Sequence, residues 1–244
     1  VSTESVITAT KVSKHFGGVK AVDEVDLEVH SGELLALVGA NGAGKSTLFN
    51  LIAGAFRPTF GTITAFGQDV TNTRDYDMCQ MGVARTFQVV RPLQGMTTLE
   101  NVMVGAFVRT ASVEAARGAA MRAVRLVGLE PLADVSAASL TLSSRKRLEV
   151  ARALATEPKV LLLDEMMAGL NPAELESFIE TVRGINREGI TIVVVEHVMR
   201  AVTQLAQRIV VMNQGRKIAD GLPDAVMKDP RVIESYLGES YATA

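Results

Sequence analysis

Residues 39–46 read Gly-Ala-Asn-Gly-Ala-Gly-Lys-Ser, which fits the spacing GxxxxGK[ST]. That spacing suits phosphate chemistry. Glycines let successive backbone N–H groups turn inward around phosphate oxygens without a clashing Cβ. Asn41, Gly42, Ala43 and Gly44 would form the cradle, and Lys45 would reach the terminal phosphates. The Ser46 hydroxyl suits a Mg²⁺ ion, and Thr47 adds a further hydroxyl contact. A helix starting here would point its positive end at the phosphates. A plain glycine turn with a solvated lysine is the blander alternative. The apolar strand before the loop and the helical pattern after it count against that alternative.

Val160-Leu-Leu-Leu-Asp164-Glu165 is an apolar run ending in two acids. Asp164, at the strand tip, would hold Mg²⁺ directly or through water. Glu165 would polarise an attacking water as a base or by orienting it. Alone, the pair reads equally well as two solvated acids; the phosphate loop upstream tips the balance. His197 follows a second apolar run, at the edge where doubly wound sheets place ligands. A lone histidine is more often structural, but this placement suits a contact to a terminal phosphate and the ordering of Glu165 or the water. His15 and His30 have no such context, and Cys79, Met166 and Met167 read as packing.

The positioning elements follow from hydropathy. Residues 6–13 and 22–29 alternate as half-buried strands, and residues 34–38 form a compact buried one. A helix is expected over 46–53 and a strand over 61–66. From about residue 92 to 155 the pattern turns helical, over 99–107, 113–129 and about 145–155. Strands return at 160–163 and 191–195. Between them Asn171, Pro172 and Glu174 open a helix with a cap, a first-turn proline and a capping-box carboxylate. Residues 208–212 and 216–219 read as a hairpin, and the rest as a short helical tail. Short strands alternating with helices indicate α/β architecture with a parallel sheet, interrupted by a helical block.

The 244 residues include 25 lysines and arginines against 27 acids, so the net charge is −2. That balance offers no large counterion-release term and argues against nucleic acid as a partner. One cysteine excludes an intrachain disulfide and suits a reducing compartment. The N-terminal stretch lacks the pattern of a signal peptide. No apolar run approaches the ~18 residues of a membrane span. The mean hydropathy of +0.22 therefore reflects buried strands or a partner-covered face.

Phosphate loop, helical block and Asp164-Glu165 strand, in that order, resemble the ATP-binding subunit of an ABC transporter over nearly the whole chain. The resemblance implies a P-loop NTPase (RecA-like) core with a mostly parallel sheet. It also implies an N-terminal antiparallel β subdomain and an inserted α-helical subdomain. Residues 1–90 and 156–222 would form the core, 91–155 the insert and 223–244 a helical tail. ATP and Mg²⁺ are the implied ligands. Gln88, in Arg85-Thr-Phe-Gln88, matches the glutamine that bridges the Mg²⁺ and water site to the helical subdomain. Phe16 matches the aromatic that stacks on adenine, with Val22 near base or ribose; a core phenylalanine is its alternative. Gly169-Leu-Asn-Pro172 resembles the D-loop, and His197 the switch histidine. The segments 16–22, 82–88, 96–102 and 232–238 resemble the LivG-type branch, which serves importers of branched-chain amino acids and related solutes.

One segment departs from the family. Leu140-Thr-Leu-Ser-Ser144 stands where the signature LSGGQ is expected. Thr141 keeps the serine's hydroxyl for the partner's nucleotide, Ser143 replaces a glycine near the phosphate, and Ser144 replaces the glutamine. Either Ser143 supplies a compensating hydrogen bond, or the chain is the weaker half of an asymmetric heterodimer. The resemblance implies a second ATPase subunit, a membrane permease docking in a groove after Gln88, where Val89, Val90 and Leu93 serve either as contacts or equally as interior packing, and, indirectly, a solute-binding protein. It implies a cytoplasmic location, peripheral at the membrane's inner face. A soluble ATPase without a permease and a non-hydrolysing regulator remain the alternatives.

Overall fold

Near the N-terminus, β-branched residues alternate with polar ones, the pattern of strands with one buried face. They form β1 (Ser5–Phe16) and β2 (Val19–His30), paired antiparallel. The structure is a computed structural model that describes residues 4–87 and 91–242, with side chains described through Tyr236. Gln88, Val89 and Val90 lie outside the described residues.

A wholly buried strand, β3 (Leu34–Gly39), runs into the glycine loop and then α1 (Lys45–Ile52). β4 (Phe60–Ala65) and the short β5 (Gln68–Asp69) complete an antiparallel sheet of order β2-β1-β4-β5. Next come α2 (Asp75–Met81) and β6 (Val83–Arg85), then α3 (Thr98–Ala106), α4 (Val113–Leu126) and α5 (Leu142–Leu154). β7 (Val160–Asp164), α6 (Pro172–Arg187), β8 (Thr191–Val195) and α7 (Met199–Leu205) follow. The chain continues through β9 (Arg208–Asn213), β10 (Arg216–Gly221), α8 (Pro223–Val226) and α9 (Pro230–Ala242).

The second sheet has the order β10-β9-β3-β8-β7-β6, parallel except for the β9–β10 hairpin. Its inner strands are apolar on both faces because both faces are covered. Leu161, Leu163, Ile192 and Val194 pack toward the helices α3–α6, while Leu162, Val193 and Val195 pack toward α1 and the antiparallel sheet. A buried leucine or valine contributes roughly 1.5–3 kcal/mol, so this alternation locks the register and with it the strand ends. The fold is the expected one: a mostly parallel P-loop core, an antiparallel β sheet and inserted helices.

Helix ends follow local chemistry. Thr97 with Glu100, and Asn171 with Glu174, make reciprocal capping boxes at α3 and α6. The sequence places the start of α5 near Arg145, but Thr141 caps it, so the helix begins at Leu142. The helices α2 and α7 and the three-residue strand β6 carry no hydropathy period of their own. β6 is defined by its parallel pairing with β7.

Candidate functional site

Five side chains named from the sequence, those of Lys45, Ser46, Asp164, Glu165 and His197, stand at the C-terminal ends of adjacent parallel strands or just beyond them. This is where a doubly wound sheet receives a ligand. The loop between β3 and α1 is shaped by close backbone approach. Gly39 has φ 146°, and a Cβ there would lie 2.2 Å from the Met212 carbonyl oxygen. At Gly44, with φ 98°, a Cβ would lie 2.3 Å from the Ala21 oxygen. Only glycine fits either position.

Lys45 is buried, and its Nζ donates to the carbonyls of Gly39 and Ala40, each at 2.7 Å. The Ala43 N–H donates to Ala40, while Asn41, Gly42 and Ser46 are exposed and Thr47 half-buried. The first turn of α1 has no acidic residue and no side-chain cap. Its orphan N–H donors and the helix dipole therefore favour an anion.

A cleft of about 430 Å³ runs from this loop to Phe16, lined also by Val19, Lys20 and Gln214. Phe16 is 46% exposed, meets Phe56 edge to face at 5.7 Å and carries Lys14 Nζ over its ring at 5.3 Å, so its remaining exposed surface suits a planar group. Val22 does not reach this cleft. Ala21 and Val22 point to opposite faces of β2, and Val22 is fully buried in the core. Lys20 and Gln214 went unsingled in the sequence because a strand-end lysine and a hairpin-turn glutamine carry no motif.

Asp164 ends β7, where its backbone N–H donates to the Thr86 hydroxyl at 3.1 Å. Its Oδ1 is buried without a hydrogen-bond partner among the described residues. Burial, and secondarily the charge of Glu165, push its carboxyl up to about 6, against the attraction of Arg85 and Lys45. A buried, orphaned carboxylate oxygen next to a lysine and a phosphate-type loop fits a hydrated cation held mainly by phosphates.

Glu165 follows with φ 49°, in the left-handed region that a glutamate rarely adopts. Its N–H donates to Val195, and its Oε1 lies 3.9 Å from Nδ1 of the half-exposed His197. Beneath it sit two buried residues that the sequence did not flag, Lys146 and Glu196. Burial pushes the lysine pKa down and the glutamate pKa up. Lys146 was hidden in the basic run 145–147, and Glu196 was overshadowed by its neighbour His197.

The altered segment 140–144 lies at the N-terminus of α5. The Thr141 hydroxyl accepts the Ser144 N–H at 3.2 Å and shares a hydrogen bond with the Ser144 hydroxyl. Thr141 thus uses its oxygen as a helix cap, and Ser143 is half-buried beside it. A separate groove of about 310 Å³ lies between α2, α3 and α5, lined by Tyr76, Phe87, Val104, Glu149 and Arg152. Leu93, expected at a docking surface, is not in its lining and is 38% exposed.

An uncapped helix end near an orphaned carboxylate oxygen suits a polyphosphate with a cation between them, which makes this a P-loop nucleotide-binding protein. The family model described as ABC transporter matches residues 22–168, and the chain belongs to that family. A second model, described as branched-chain amino acid ATP-binding cassette transporter, matches residues 216–242. The high-affinity branched-chain amino acid transport ATP-binding protein LivG of Escherichia coli K12 is 37% identical, across 97% of this chain and 99% of its own. BraF of Pseudomonas aeruginosa, with the same description, is 35% identical across 96% and 98%. The crystal structure of an ATP-binding cassette of an ABC transporter in its ADP conformation superposes with a TM-score of 0.88. It shares 31% identity and covers 97% of this chain and 100% of its own.

Proposed function

We propose that the chain is the ATP-hydrolysing subunit of an importer for branched-chain or other amino acids. The printed roles of LivG and BraF support the cargo class, together with the matching tail at residues 216–242. The single observation that carries hydrolysis is the buried Asp164 oxygen without a partner, set beside the strained Glu165. Ser46 and Asp164, with Gln88, would hold Mg²⁺, which supplies neutralisation of phosphate charge. The loop backbone of residues 41–44, exposed at Asn41 and Gly42, and Lys45 bind the phosphates, and Phe16 stacks on the base. Lys45 must leave the carbonyls of Gly39 and Ala40 for the terminal phosphate. Glu165 orients a water and takes its proton, while His197 contacts the terminal phosphate and steadies Glu165.

In this reading a second cassette closes over the nucleotide, and the groove between α2, α3 and α5 receives a permease. The chain then works on the cytoplasmic face of a membrane, peripherally, and meets a solute-binding protein only through the permease. Among the described residues no helix is long and apolar enough to cross a membrane. Residues 1–90 and 156–222 act as the nucleotide core, 91–155 as the moving helical part and 223–244 as the tail.

A second reading makes this chain the weak half of a heterodimer. It is favoured by Thr141, whose hydroxyl is engaged as a cap, and by Leu142, whose side chain stands exposed where the signature has glycine. ATP turnover of the wild type against Glu165→Gln, alone and with a candidate partner cassette, tests the first reading. Turnover lost in Glu165→Gln with nucleotide binding retained supports it. Equal turnover in both, or none in either setting, overturns it. A large rate gain in Ser143→Gly would favour the second reading.

A further inference from the structure

Two buried charged residues outside the phosphate chemistry hold the turn that carries Glu165. Lys146 lies on α5 and is 7% exposed. Its Nζ donates to the backbone oxygens of Glu165 at 3.4 Å and Ala168 at 2.5 Å. Glu196 follows β8 and is 2% exposed. Its Oε1 accepts the Met167 N–H at 2.7 Å, and its Oε2 has no hydrogen-bond partner among the described residues. The Glu165 N–H donates to Val195 at 2.9 Å. The peptide groups of residues 165–168 are therefore tied to β8 on one side and to α5 on the other.

Neither residue earns its place by burial. An ammonium and a carboxylate each lose hydration inside a fold, and apolar side chains of similar volume pack at least as well. The tie has a different target. Glu165 at φ 49° keeps its conformation only if its surroundings over-determine it. Lys146 grips the carbonyl of that residue and the carbonyl three positions on, so it fixes both ends of the strained turn. Glu196 fixes the amide between them. Lys146 and Glu196 also attract each other, which offsets part of their desolvation.

The two residues come from different parts of the molecule. Lys146 belongs to the helical run between β6 and β7, and Glu196 to the end of a central strand. We propose that Lys146 and Glu196 are positioning residues that hold the Glu165 carboxylate at its working angle, and that Lys146 makes this hold depend on where α5 sits against the sheet. Any displacement of α5 from β7 acts on the Glu165 and Ala168 carbonyls through one side chain. The helical part thereby sets the geometry of the acid without touching the nucleotide. This inference rests on Glu165 being the residue that activates water.

The test uses the full chain, in its transporter complex for turnover. Lys146→Met keeps the apolar stem and removes the donor, while Lys146→Arg keeps charge and donors. Lys146→Met is expected to lower kcat about tenfold or more, since small misplacements of reacting groups are that costly. KM and the dissociation constant for ATP should stay within about threefold, as for a loss confined to the transition state. Lys146→Arg should recover kcat to within about threefold of wild type. Amide hydrogen exchange over residues 165–168 should accelerate in Lys146→Met, while residues 39–46 exchange as before.

If Lys146→Met does not fold, Lys146→Gln carries the same test, because its shorter amide cannot span both carbonyls. Unchanged kcat and unchanged exchange at 165–168 would overturn the inference. So would equal losses of kcat and nucleotide affinity with faster exchange reaching the phosphate loop, which would mark Lys146 as a general fold residue. Glu165→Gln in the same series separates the two claims. If it turns over like wild type, the role of Glu165 fails, while exchange at 165–168 still decides whether Lys146 holds the turn.

Discussion

Replacing Asp164 by asparagine should stabilise the nucleotide-free protein while abolishing its ATPase activity. Burial raises the Asp164 pKa from 3.8 to about 6. The folded chain therefore holds this proton more tightly than the unfolded chain does. Between about pH 4 and pH 6 the folded state binds the extra proton, so wild-type stability falls as pH rises through that window. At about 1.4 kcal/mol per pH unit the shift corresponds to about 3 kcal/mol, which solvent screening of this partly exposed carboxylate reduces to a penalty of about 1–2 kcal/mol above pH 6. Asparagine leaves a neutral polar group as poorly partnered as the protonated acid, so the comparison isolates the charge. The chain has no tryptophan, so urea unfolding is best followed by circular dichroism. At pH 8 Asp164→Asn should be the more stable by about 1–2 kcal/mol, which corresponds to a rise of roughly 2–8 °C in Tm. Near pH 4 the two proteins should unfold together. ATP with Mg²⁺ at about a thousand times the wild-type Kd should reverse the order at pH 8 where the variant has lost binding, because it adds about 4.1 kcal/mol to the protein that binds it, more than the gap. Equal stability at pH 8, or a gap that does not change with pH, would refute the burial argument.

Gly39→Ala would place a Cβ 2.2 Å from the Met212 oxygen at φ 146°. It should cost at least about 2 kcal/mol and eliminate nucleotide binding, read by thermal unfolding and a fluorescent ATP analogue. Asn171→Ala removes the reciprocal cap of α6. A loss of about 1 kcal/mol is expected, seen as a Tm lower by about 2–4 °C. Phe16→Ala removes the exposed ring beside the loop. ATP and GTP affinities should fall together by about tenfold, because stacking tolerates any base; a loss confined to ATP would point to hydrogen-bonded base recognition.

What could be read from the sequence was whatever is written locally. The phosphate loop is contiguous, so its motif is legible, although the backbone that makes Gly39 and Gly44 obligatory belongs to the distant Met212 and Ala21. The helix opening at Asn171 carries its own cap, proline and carboxylate. Asp164 and Glu165 announce themselves by ending an apolar strand. The rest depends on partners distant in the chain. β6 has three residues and exists because β7 pairs with it. Val22 looks like a residue near the base until the register of β2 turns it into the core. Thr141 reads as a hydroxyl kept for the partner's nucleotide, and only the fold shows that it also caps α5. Lys146 reads as one more solvated cation, and only the fold of residues 165–168 over α5 reveals that it is buried. Such features have no sequence period because the contacts that define them are tertiary.

The double grip of Lys45 on the carbonyls of Gly39 and Ala40 bears on how fast the cycle turns. These carbonyls offer the ammonium an internal alternative to phosphate, so contact with a nucleotide is an exchange of hydrogen bonds. That exchange weakens binding below what the cradle's donors alone would give. The same internal substitute is waiting when the spent nucleotide departs, so leaving strands no buried charge. A site that can satisfy itself lets go readily, which is the property a repeating motor requires.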